Sequence, residues 1–126
     1  MRLLLDSQAL LWVLFDKTRL SAGASVALGD AANVVTVSTI SPYELEVKKT
    51  AGRLNYPDVH SWESVVAAAG FQLLPFSASH GVTAARLPRI HRDPWDRLLI
   101  GQAMIEALTL VTSDRRIPKY GVPTLW

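Results

Sequence analysis

Four short apolar runs, each separated from the next by helical stretches, limit the folds open to this chain. Leu3–Leu5, "NVVTVST" at 33–39, "FQLLP" at 71–75 and "LTLVTS" at 108–113 are nearly continuous in Leu, Val, Thr and Phe. A strand with one wet face alternates polar and apolar residues, whereas a run without alternation belongs to a strand covered on both faces. The intervening segments carry helix signals. Residues 7–15 place Leu10, Leu11 and Leu14 on one side, and Ser21 can cap a helix through Gly29. Residues 42–51 end at Gly52, a helix at about 59–69 precedes Gly70, another covers about 78–86, and the strongest runs from Pro94 to about Ala107. "PTLW" at the end reads as a last short strand. Strand and helix in alternation require crossover connections, hence an α/β fold with a mainly parallel sheet and helices on both faces.

A chain of 126 residues predicts a single domain, 1–126, and its 49% hydrophobic and 19% charged residues suit a folded core. The lack of cysteine rules out disulfides, thiolate metal sites and a cysteine nucleophile, and it fits a reducing cytoplasm. The opening "MRLLLDSQALLWVLFD" has a basic residue before an apolar run, but Asp6, Ser7 and Gln8 interrupt it and no small-residue cleavage site follows. No run approaches the ~18 apolar residues of a membrane helix, so no membrane association is expected. A net charge of +2 is too mild to imply a nucleic-acid partner. The clustering says more: Lys48, Lys49 and Arg53, then Arg89, Arg92 and Arg97, then Arg115, Arg116 and Lys119 each lie near a carboxylate discussed next.

In open α/β sheets ligands bind beyond the carboxyl ends of the strands. Asp6 follows the first strand, Glu44 sits in the first turn after the second, Asp96 opens the long helix, and Asp114 follows "LTLVTS". Each has a structural explanation. Asp6 can cap a helix, and Ser41-Pro42-Tyr43-Glu44 has the form of a capping box, with Ile40 and Leu45 placed for a hydrophobic staple. Asp93-Pro94-Trp95-Asp96 repeats the arrangement, and Asp114 can begin a turn. Together they are harder to explain as structural, because four carboxylates on one rim repel one another unless a cation neutralises them. Oxygen-only ligands favour Mg²⁺ or Mn²⁺. A bound ion of that kind activates water and polarises a phosphoryl oxygen, as phosphodiester hydrolysis needs, while basic clusters hold the polyanion.

"LLLDSQALLW", "SPYELEVKKTAGRL", "HRDPWDRLLIGQA" and "LTLVTSD…YGVPTLW" together resemble, in order and spacing, the PIN-domain ribonuclease toxins of bacterial type II toxin–antitoxin pairs, the VapC-like group. The resemblance spans nearly the whole chain. It implies a three-layer α/β/α sandwich and an Mg²⁺- or Mn²⁺-dependent endoribonuclease that inhibits translation and growth. It also implies a homodimer and a cognate antitoxin protein that blocks the site. By position, Asp6, Glu44, Asp96 and Asp114 match the family's acids, with Asp6 and Asp96 as principal metal ligands. Asp93 is read first as the cap of the long helix and second as a metal contact.

Ser7 is expected to donate to a metal-bound water, and Thr112 and Ser113 to orient Asp114 or touch phosphate. Lys48, Arg92, Arg97 and Arg115 are the candidate RNA contacts. His60, His80 and His91 show no ligand-like pairing, although His91 flanks the Asp93–Asp96 turn. Pro118 falls where relatives carry a short helix, which leaves the placement of Asp114 open. Two other readings remain: a PIN-fold module that binds RNA or protein without catalysis, and a receiver-like phosphotransfer domain. The latter would want an acid pair after its first strand and an aspartate after its third, and this chain offers a lone Asp6 and none after "FQLLP".

Overall fold

The computed structural model describes the whole chain, Met1–Trp126. Five strands, β1 (Arg2–Leu5), β2 (Val34–Ser38), β3 (Gln72–Leu74), β4 (Thr109–Val111) and β5 (Thr124–Leu125), form one sheet in the order β3-β2-β1-β4-β5. Every neighbouring pair is parallel. Six helices connect them: α1 (Ser7–Phe15), α2 (Ala22–Gly29), α3 (Ile40–Thr50), α4 (Trp62–Ala68), α5 (Ala78–Ala85) and α6 (Pro94–Glu106). The expected α/β sandwich is therefore present, with a sheet that is parallel throughout.

The double cover is visible residue by residue. Leu3, Leu5, Val35, Val37 and Val111 point into a core shared with Leu10, Ala24, Leu45 and Val66 of α1 to α4. Leu4 and Leu110 point the other way, against Leu99, Ile100 and Ala103 of α6 and Ile117 beyond β4. Strand residues alternate between two dry faces, so neither face could carry the polar half of an alternating pattern. Helix α5 crosses α6 at Gly101. A Cβ built there would fall 2.7 Å from the His80 carbonyl oxygen and 2.8 Å from the Ala84 nitrogen. Glycine is required there because no side chain fits between the two backbones.

The chain order reverses at β1, whose neighbours are β2 on one side and β4 on the other. Helices from the two crossovers diverge there and leave a crevice beyond the strand ends. Asp6 follows β1 directly, and Asp114 lies three residues beyond Val111.

Two local expectations fail. Helix α3 begins at Ile40 with Thr39 at its cap position, not at Pro42 with Ser41 capping, and no side-chain cap bond forms from Thr39. Ser38 Oγ accepts the Ile40 N–H at 3.3 Å, while Thr39 Oγ1 accepts the Phe76 N–H and ties β2 to the loop after β3. With the first turn already inside the helix, Ser41 is buried without a partner for its hydroxyl, and Glu44 is free to face elsewhere. The Ile40–Leu45 staple is lost for the same reason. Helix α4 starts at Trp62, later than about 59, because Ser61 is the residue that caps it, accepting from the Ser64 N–H.

Candidate metal centre

Asp6, Glu44, Asp96 and Asp114 line one cleft of about 290 Å³ at the reversal point, together with Asp93, Ser7, Lys48 and Arg116. Asp6 keeps its structural task as well: its Oδ1 accepts the Ala9 N–H at 2.7 Å and starts α1. It is 6% exposed. Burial pushes its carboxyl up to about 6, against a hydrogen bond from Thr112, and the Glu44 and Asp114 charges add to the rise. Asp96, in the first turn of α6, is pushed further, to about 7, by burial first and then by Asp93, Asp6, Glu44 and Asp114. Asp93 spends Oδ1 on the Trp95 and Asp96 N–H groups, with Pro94 opening the helix, so its capping role is realised.

The other two acids already have cations of the chain beside them. Glu44, 4% exposed, accepts the Ser7 hydroxyl at 2.6 Å and holds Lys48 Nζ at 2.5 Å. Arg116 grips Asp114 with Nε at 3.0 Å and a terminal nitrogen at 2.8 Å, and its backbone N–H closes a turn onto Oδ1. These Arg116 bonds, aided by one from His91, hold the Asp114 carboxyl well below the usual carboxylate range. The segment after Asp114 is a single 3-10 turn, Ile117–Tyr120, anchored by buried Ile117, and it suffices to hold Asp114 in the cleft despite Pro118.

The family model described as PIN domain matches residues 3–123. The chain belongs to the PIN domain family. It is 33% identical to Ribonuclease VapC22 of Mycobacterium tuberculosis, over 98% of this chain and 97% of that protein. Its fold is similar to VapBC2 from Rickettsia felis bound to a promoter DNA fragment, with a TM-score of 0.65 at 15% identity over 98% and 97% of the two chains. It is also similar to FitAcB from Neisseria gonorrhoeae, with a TM-score of 0.62 at 17% identity over 97% and 95%.

In this PIN domain the four acids are brought together from four separate segments, as a divalent-ion site requires. The donor set fits a hard cation: carboxylate oxygens dominate, no sulfur is present, and two carboxyls lack any Lys or Arg partner. The remaining candidates divide. Thr112 is buried and accepts the Asp114 N–H at 3.1 Å, whereas Ser113 is exposed. The Ser7 hydroxyl is committed to Glu44. Arg97 donates to the carbonyls of Ala84, Leu87 and Pro88 and to the Tyr120 hydroxyl, so it secures a loop and leaves little for phosphate. Arg92 lies on a separate groove with Arg89, and Arg115 is exposed while its neighbour Arg116 enters the cleft.

Two residues hold larger places in the cleft than their sequence context suggests. Arg116 follows Asp114 by two positions, the spacing at which an Asp-initiated turn folds the later residue back. His91 is 3% exposed, and its Nε2 lies 2.7 Å from Asp114 Oδ2 and 3.0 Å from Asp96 Oδ2. One nitrogen of His91 and one oxygen each of Asp96 and Asp114 fall within 4.8 Å of one another. The sequence shows only that His91 is near Asp93, because the Asp114 contact depends on the fold.

Proposed function

We propose that this PIN domain is an Mg²⁺- or Mn²⁺-dependent endoribonuclease and the toxin of a toxin–antitoxin pair. The observation that carries the reading is that Asp6 and Asp96, neither with a Lys or Arg partner, line one cleft with two further acids. Asp6 and Asp96 would be the principal ligands, with Asp114 and Glu44 completing the site directly or through water. The ion supplies an activated water and a polarised phosphoryl oxygen. Ser7 fixes the Glu44 carboxylate, and Lys48 and Arg116 stand at the cleft wall, where a scissile phosphate would meet them. A groove of about 590 Å³ presents Arg89 and Arg92 beside the loop-bound Arg97, with no carboxylate in its lining, which suits the flanking RNA backbone.

Ribonuclease VapC22, and a fold shared with a toxin–antitoxin complex from Klebsiella pneumoniae, support a ribonuclease toxin with an antitoxin partner. A homodimer belongs to the same proposal, and exposed Val82 on α5 with Met104 and Ile105 on α6 offers apolar surface for it. Action in the cytoplasm is proposed with it, and no helix is long and apolar enough to cross a membrane. The test is cleavage of bacterial total RNA by the purified chain with Mg²⁺, with EDTA, and for Asp6→Asn. Cleavage should require both the ion and Asp6. Equal cleavage in all three would defeat the metal mechanism, and RNA binding without cleavage in any would favour the non-catalytic module.

A further inference from the structure

We propose that His91 is a positioning residue of this centre: a hydrogen-bond donor that gathers Asp96 and Asp114 around one nitrogen without ligating the ion itself. The inference rests on the metal-dependent reading above and goes beyond it, because the same geometry invites the opposite assignment. A buried imidazole nitrogen next to two carboxylate oxygens looks like a third ligand.

The far side of the ring decides between the two. The Asp93 backbone N–H points at His91 Nδ1, with the nitrogens 3.0 Å apart. An amide N–H can only donate, so Nδ1 must present its lone pair, and the ring proton of a neutral imidazole then sits on Nε2. Nε2 therefore carries hydrogen toward the acids and has no lone pair to give a cation. The ring has a partner at each nitrogen, and its loop is pinned through Tyr120. It is 3% exposed, the His91 N–H donates to Tyr120 Oη at 2.7 Å, and that hydroxyl donates to the Pro88 carbonyl at 2.9 Å.

The consequences for the acids are unequal. Nε2–H makes its hydrogen bond to Asp114 Oδ2 at 2.7 Å, so Asp114 is satisfied by His91 and Arg116 together. Asp96 Oδ2 lies close, at 3.0 Å, but receives only the edge of that donor. His91 thus holds two mutually repelling carboxylates at one point and leaves Asp96 as the one still in need of a cation. Removing such an outer partner of a ligating carboxylate lowers metal affinity by roughly ten- to a hundredfold.

The experiment measures Mn²⁺ binding by calorimetry for the parent, His91→Phe and His91→Gln, with nuclease kinetics and melting curves alongside. His91→Phe keeps a flat ring without a donor, and His91→Gln places an N–H at similar reach. The expected result is a loss of about tenfold or more in Mn²⁺ affinity for the Phe variant, with recovery by Gln to within about threefold of the parent. The kcat of the Phe variant should rise again with excess Mn²⁺ while KM for RNA stays unchanged. Electron spin echo spectra of the Mn²⁺-loaded parent should lack the nitrogen coupling of a directly bound imidazole. Parent-like affinity in His91→Phe, a Gln variant no better than Phe, or a bound-imidazole coupling would each overturn the assignment. Should His91→Phe fail to fold, the Gln variant and the parent's spectrum still decide. A parent that binds no Mn²⁺ would defeat the metal reading first, a different outcome from a parent that binds and a Phe variant that binds equally well.

Discussion

Replacing Asp96 by Asn should stabilise the metal-free protein, and the gain should grow with pH. The Asp96 carboxyl moves from 3.8 to about 7 on folding, chiefly through burial. A shift of about three units corresponds to roughly 4 kcal/mol of preference for the protonated form. The sign follows from proton binding. A raised folded-state pKa contributes stability that is fully present below the unfolded value and is lost as pH rises through about 7. At pH 5 the ionised unfolded chain already gains about 1.6 kcal/mol, and at pH 8 the whole of roughly 4 kcal/mol. Asn carries no charge at either pH, and its oxygen can still face His91. Partial relaxation of the neighbouring acids reduces these figures, so the stabilisation should be about 1 kcal/mol at pH 5 and 2–4 kcal/mol at pH 8. Asp114 does not confuse the comparison, because its lowered pKa acts in a more acidic window. Urea denaturation in EDTA at the two pH values, with matched m-values, measures the difference. An Asn variant less stable than the parent at pH 8, or an equal difference at both, would refute the claim that Asp96 is a half-buried carboxylate without a Lys or Arg partner.

Other consequences can be measured separately. Gly101→Ala forces α5 from α6 and should cost about 1–3 kcal/mol in thermal or urea unfolding. Arg97→Lys cannot serve three carbonyls with the geometry of a guanidinium. It should cost roughly 1.5–3 kcal/mol and raise hydrogen exchange across residues 84–91, with little change in the salt dependence of RNA binding. By contrast, the double change Arg89→Ala and Arg92→Ala should leave stability unaltered. It should lower the slope of log affinity against log salt for single-stranded RNA by about 1.4.

Much of this molecule is written in local pattern. The β-branched run at 33–39 and the apolar run at 108–113 are strands because their side chains fill two dry faces, and periodicity alone reveals that. Asp6, Glu44, Asp96 and Asp114 are legible as candidates because strand ends and helix starts lie where parallel sheets expose their ligand sites. The capping box at Ser41 misleads for a physical reason. Its motif is satisfied locally, but Thr39 and Ser38 are drawn into bonds with other residues, and the helix begins two residues early. The roles of His91 and Arg116 depend on contacts across the fold: a loop ordered by Tyr120 in one case, a turn closing over Asp114 in the other. Arg97 shows the converse. Its position beside Asp96 suggests a phosphate contact, and only the path of residues 84–88 shows that its donors are already used.

Crystals soaked in Mn²⁺ and measured at the manganese absorption edge test the central claim most directly. The account predicts an anomalous peak within coordination distance of Asp6 and Asp96 carboxylate oxygens, with Asp114 and Glu44 adjoining directly or through water and His91 outside the coordination sphere. A peak that avoids Asp6 and Asp96, or none at millimolar Mn²⁺, would contradict it.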